Sequence, residues 1–146
     1  MADAPTLLAA AVRGAYGLLF LAAGISKCLR QRSVRLAVAN YRLMPARAVP
    51  AFSQLLALLE IIAGVLLLLS PGLPTYRLGW IMATGLLALF CLAIGLALLR
   101  GLRIPCGCAL LLNGHVLTPA TLLRNLLLLA LLLLPPLLPV LPAALR

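Results

Sequence analysis

Four long apolar runs, separated by short polar or proline-rich breaks, set the organisation of this chain. A helix that crosses about 30 Å of hydrocarbon needs about 20 residues, because each residue rises about 1.5 Å. On that measure the pattern predicts spans over residues 7–26, 51–70, 76–99 and 120–140. The first is interrupted by Arg13, whose long stem lets the guanidinium snorkel toward the near interface. The second contains Glu60, and Pro71, Gly72, Leu73 and Pro74 then force a short turn. The third carries no charge after Arg77. Thr118 and Pro119 form a start signal for the fourth, a hydroxyl N-cap followed by proline at the first helical position. Pro135, Pro136 and Pro139 disturb its end, so a helix stopping near Leu134 is the alternative. Between the first two spans, residues 33–41 read as a short amphipathic piece lying on the membrane.

Composition agrees with lipid as the solvent. Apolar residues make up 65% of the 146, against the 45–50% or so of a soluble domain. Charged residues make up 10%, where about a quarter is usual. We therefore expect a single all-α domain over residues 1–146, an integral membrane four-helix bundle with its two long loops on one membrane face. Residues 1–6 place no positive charge before the first run, so we expect that run to be kept as a helix and not removed as a secretory signal.

The net charge of +10 does not mark nucleic-acid binding, because the basic residues sit between apolar runs and build no basic face. Membrane lipids with anionic headgroups are the natural counter-surface. Lys27, Arg30, Arg32, Arg35, Arg42, Arg47, Arg100, Arg103 and Arg124 fall on one face of a four-span chain, and Arg77 and Arg146 on the other with Asp3. Positive residues favour the cytoplasm, which puts both termini outside.

Within the spans, Glu60 lies about halfway through the second. A carboxylate at that depth must be protonated, paired or wetted, so it should face the bundle interior. Three readings stand: a protonated side chain bonded to a backbone carbonyl, an ion pair with Arg13, or a proton relay. Gly14, Gly17, Ala22, Ala23 and Gly24, with Gly64, Gly79, Gly85 and Gly95, are expected to permit close helix approach. Tyr16, Tyr76 and Trp80 are expected at headgroup level.

The candidate chemistry lies in the cysteines. Cys91 sits in an apolar run and reads as a small buried hydrophobe. Cys106, Gly107 and Cys108 follow Arg103 in the loop after the third span, and Cys28 ends the first beside Lys27 and Arg30. Thiol–disulfide exchange needs an accessible sulfur whose thiolate is favoured by nearby positive charge. Glycine between the two cysteines lets the chain turn tightly, and the small strained ring that results is easily reduced. Cys28 is then a candidate resolving thiol. A soft-metal site completed by Cys28 or His115 is a second reading, and cysteines that merely pack are a third. His115, the single histidine, reads as a turn residue or as a proton donor or ligand near the thiols. With Asp3 and Glu60 the only acids, a Ser–His–Asp hydrolase is excluded.

Taken in order, these segments resemble the methylamine utilisation protein MauE family, within the wider group of DoxX-like four-helix membrane proteins. The likeness lies in residues 23–27 (Ala-Gly-Ile-Ser-Lys), 40–45 (Asn-Tyr-Arg-Leu-Met-Pro), 60–64 (Glu-Ile-Ile-Ala-Gly), 100–108 (Arg-Gly-Leu-Arg-Ile-Pro-Cys-Gly-Cys), and Arg124 with Asn125. The family usually continues Cys-Gly-Cys into Phe-Gly, where this chain has Ala109 and Leu110, and commonly has an aliphatic residue where this chain has Cys28.

The resemblance implies a multi-pass protein of the bacterial inner membrane that helps mature the small subunit of methylamine dehydrogenase, an exported, disulfide-rich client. It implies a thioredoxin-like partner of the MauD type, Cys106 and Cys108 as the family thiol pair, and Glu60 as the intramembrane carboxylate. The expected function is thiol–disulfide exchange in that maturation, with no cofactor required. One alternative is a non-catalytic anchor or assembly factor for the partner. Another is a quinone-linked oxidoreductase subunit of the DoxX-like kind, which would hold a quinone between helices.

Overall fold

Leucine-rich, alanine-rich sequence with few β-branched residues favours helix, and helix is what forms. The computed structural model describes residues 4–69, 75–102, 104 and 118–137. Helix α1 is Ala4–Leu29, α2 is Gln31–Asn40, α3 is Val49–Leu68, α4 is Thr75–Leu99 and α5 is Pro119–Leu137. Among the described residues, three helices are long and apolar enough to cross a membrane, over residues 10–29, 49–68 and 77–99, and α5 contributes a shorter apolar stretch over 119–133. The chain is an all-α membrane protein. The segment expected to lie amphipathically is helix α2, with Val34 and Ala37 turned into the protein. The helical part of the first run is longer than expected and takes in Lys27 and Cys28. The turn at residues 71–74, the distal prolines beyond 137, Asp3, Arg103 and Arg146 lie outside the described residues.

Apolar side chains face both inward and outward, as a lipid solvent allows. Leu18, Ile81 and Leu92 are more than 60% exposed, whereas Phe20, Leu67, Ala83 and Leu132 are fully buried. Water would not tolerate so many exposed leucines in contiguous bands.

Without a hydrophobic force between helices in lipid, close backbone approach must hold the bundle, and glycine supplies it. A Cβ on Gly64 would meet Leu21 N at 2.6 Å and Gly17 O at 2.8 Å. A Cβ on Gly24 would meet Ala57 O at 2.8 Å, and one on Gly17 would meet the Leu68 side chain at 2.7 Å. The contacts fix an antiparallel register in which Gly17 sits opposite Gly64 and Gly24 opposite Ala57. Gly79 repeats the device between α4 and α3, with a virtual Cβ 2.9 Å from Leu67 N. Gly14, Gly85 and Gly95 do not take part, since nothing lies within 4 Å of the added carbon.

Tyr16 departs from its expected headgroup position. It is 3% exposed in the main core, and its hydroxyl donates to the Leu128 carbonyl at 2.6 Å, tying α1 to α5. Trp80 also packs against that core, partly buried. Tyrosine can enter an apolar core when its hydroxyl finds an acceptor, and the crowded α5 backbone offers one.

The far end of the bundle is closed by a glycine C-cap. The Gly101 N–H donates to Leu98 O and the Leu102 N–H to Ala97 O, both at 3.0 Å, with Gly101 at φ +65°. This Schellman geometry reverses the chain after α4. Ile104 is thereby buried with Ile94 and Ala97, against Tyr41, Leu102 and Leu122. Arg100 Nη1 makes a long 3.5 Å contact to the Arg42 carbonyl, so the turn after α2 and the turn after α4 share one end. At the start of α5, Thr118 precedes Pro119 as expected, and its carbonyl accepts the Thr121 N–H at 2.9 Å.

Candidate functional site

The most polar feature inside the bundle is an ion pair that joins α1 to α3. Lys27 Nζ donates to Glu60 Oε1 and Oε2, each at 2.7 Å. Their side chains are 9% and 2% exposed. Such a pair is desolvated on nearly every side, so each charge depends on the other. The Lys27 ammonium also stands 5.6 Å from the centroid of the Phe90 ring, where the electron-rich face of the ring attracts a cation.

Helix polarity explains why these two residues meet. Side chains tilt toward the N-terminus of their own helix. In the α1–α3 register, Lys27 lies opposite about residue 54, roughly 9 Å along the axis from Glu60 at ~1.5 Å per residue. Lys27 leans from the loop end toward the bundle centre, and Glu60 leans from the centre toward the loop end. The two tilts converge, and the long lysine stem covers the remainder.

The same geometry corrects the expected partner. Arg13 does not pair with Glu60; its Nη1 donates to the Leu69 carbonyl at 3.0 Å, at the opposite end of α3. Arg13 lies opposite about residue 68, and its tilt carries it away from Glu60. Nor does Glu60 stand with only a backbone carbonyl for company. Lys27 was legible as a basic residue but looked like part of a loop, because the extension of α1 to Leu29 was not apparent from hydropathy.

Next to the ion pair is a cavity of about 90 Å³ between α2, α3 and α4, lined almost wholly by carbon, with Lys27, Phe52 and Phe90 among its walls. Cys28, one residue after Lys27, is exposed at the end of α1. Cys91, expected to be buried, is only partly buried within α4. Cys106, Cys108 and His115 lie outside the described residues. Among the described residues no three histidine, cysteine or acidic side chains gather as a metal site. On α5, Asn125 is buried and its amide donates to the Thr121 carbonyl at 2.9 Å, whereas Arg124 is exposed.

The family model of the methylamine utilisation protein MauE matches residues 5–138. The chain belongs to the MauE family. The match spans all five helices, including the α1 and α3 segments that carry Lys27 and Glu60, and the 100–108 segment with both loop cysteines. No curated protein and no solved structure matches the chain. A MauE protein is thus associated with methylamine utilisation and the maturation of redox proteins, and the buried Lys27–Glu60 pair is the polar centre of this one.

Proposed function

We propose that this MauE protein is the membrane component of a thiol–disulfide exchange system, in which Cys106 and Cys108 are the exchanging pair and Cys28 is the resolving thiol. It works with a thioredoxin-like partner of the MauD type and serves an exported, disulfide-rich client such as the methylamine dehydrogenase small subunit. In this reading α1, α3, α4 and α5 all span the bacterial inner membrane, and both termini face outward.

The observation that carries the proposal is the packing of Ile104. It holds the chain, two residues before Cys106, against Tyr41 and Leu122 at the end of the bundle where exposed Cys28 also lies. A thiol pair leaving a fixed point has a short reach, which favours exchange with a thiol or partner at that end. Arg100 and Arg42 belong to the same end, where Arg100 Nη1 reaches the Arg42 carbonyl.

A thiolate of Cys106 or Cys108 attacks a sulfur of a disulfide in the partner, forming a mixed disulfide and releasing one partner thiolate. Cys28, as the resolving thiol, attacks the loop-cysteine sulfur of the mixed disulfide and releases the partner as a dithiol. The remaining loop thiolate then attacks the Cys28-bound loop sulfur, forming the Cys106–Cys108 disulfide and freeing Cys28. The reverse sequence passes oxidation to the partner.

The test is client maturation in cells that carry Cys106→Ser with Cys108→Ser, read from client disulfides on non-reducing gels. Loss of client disulfides with normal membrane levels of the variant is expected. Intact maturation would make the protein a non-catalytic anchor for its partner and would overturn the exchange reading.

A further inference from the structure

Helix α2 carries two arginines whose charge nothing nearby balances. Its inner face packs into the bundle through Val34 and Ala37, whereas Arg32, Arg35, Leu36 and Ala39 are exposed on the other face. Residues three apart on a helix are neighbours, so the Arg32 and Arg35 guanidiniums can converge on one point. Of the chain's two acids, Glu60 alone is among the described residues, and Lys27 already holds it. Among the described residues no carboxylate is left for Arg32 and Arg35. The first turn of α2 also has no acidic residue and no side-chain cap, so the positive end of its dipole adds to the same charge.

Beside the arginines runs an open groove of about 520 Å³, between the outer face of α2 and the first turn of α3. Gln31, Arg32 and Arg35 form its polar wall, and Leu36, Val49 and Pro50 its apolar one. The α1 span ends at Leu29 and the α3 span begins at Val49, so the groove lies where the chain leaves the hydrocarbon. An occupant at that level has a polar head and an apolar chain. A zwitterionic headgroup would bring an ammonium to a wall that offers it no carboxylate. A phosphodiester without an ammonium instead balances the arginines, whose planar forks match phosphate oxygens.

We propose that this groove binds an anionic phospholipid, with its phosphodiester between Arg32 and Arg35 and an acyl chain over Leu36, Val49 and Pro50. The inference rests on α2 and the start of α3 and not on the thiol reading.

The test is native mass spectrometry of the full chain in detergent, titrated with phosphatidylglycerol and, separately, with phosphatidylcholine. A saturable phosphatidylglycerol adduct is expected, at least tenfold tighter than any with phosphatidylcholine. Arg32→Gln with Arg35→Gln should bring phosphatidylglycerol to the phosphatidylcholine level. Arg77→Gln with Arg124→Gln removes the same charge from exposed positions elsewhere and should leave the preference intact. Ala39→Trp fills the groove, keeps both arginines, and should weaken the adduct as well. Equal binding of the two lipids, or equal losses in the two double variants, would overturn the site. Displacement of phosphatidylglycerol by inorganic phosphate at equal concentration would make it a soluble-anion site and overturn the lipid assignment.

Discussion

Lys27 and Glu60 meet inside the bundle although their backbones are offset by roughly two helical turns, because antiparallel helices tilt the two side chains toward each other. This makes α1 and α3 interdependent through charge as well as through glycine contacts. Breaking one partner of a buried pair strands the other, at a cost of about 3–5 kcal/mol. Replacing both by apolar groups avoids that cost.

Lys27→Met and Glu60→Gln should therefore each lower the thermal midpoint of the detergent-purified protein and its folded yield. The double variant Lys27→Met with Glu60→Leu should recover much of the loss. Arg13→Gln, which touches a carbonyl at the exposed end of α3, should change stability by less than about 1 kcal/mol. A large effect of Arg13→Gln alongside a negligible one of Lys27→Met would reverse the assignment of the Glu60 partner.

The glycine contacts make a second prediction. Gly64→Val forces side-chain atoms into the backbone of Leu21 and Gly17, so α1 and α3 must separate. Overpacking of this kind costs about 1–3 kcal/mol, and a thermal shift assay in detergent should show it. Gly85→Ala, where the new carbon meets nothing within 4 Å, should be neutral or mildly stabilising.

Tyr16→Phe removes the hydroxyl that bonds to the Leu128 carbonyl and keeps the ring in the core. A loss of about 1 kcal/mol is expected. It should appear as easier separation of α5, measured by proteolysis of the segment before Pro119 in detergent.

The sequence made some features readable and hid others for physical reasons. Long apolar runs have one outcome in lipid, so α1, α3 and α4 were legible from hydropathy, and Thr118 with Pro119 marked the start of α5. Helix ends were harder. Lys27 and Cys28 looked like loop residues, but a lysine can stay helical at a membrane edge if its ammonium finds a partner. Hydropathy carries no register, so neither the Lys27–Glu60 contact nor the failure of Arg13 to reach Glu60 was visible in it. Glycine positions were plain, but which of them face a neighbour was not: Gly17, Gly24, Gly64 and Gly79 do, and Gly14, Gly85 and Gly95 do not. Tyr16 was misplaced for a similar reason, since its acceptor, the Leu128 carbonyl, lies 112 residues away in the chain. Of the proposed site, Cys28 is placed by the structure at the loop end of the bundle, whereas Cys106 and Cys108 rest on the sequence and the family.

The redox state of the loop cysteines in native membranes decides whether this protein exchanges disulfides. Alkylation before and after reduction, followed by mass spectrometry of the 104–124 peptide, reads that state. A fraction is expected in which Cys106 and Cys108 are joined to each other or to a thioredoxin-like partner, converted to free thiols by reductant. Two cysteines that stay fully reduced under every oxidising condition, in cells whose client still acquires its disulfides, would contradict disulfide exchange.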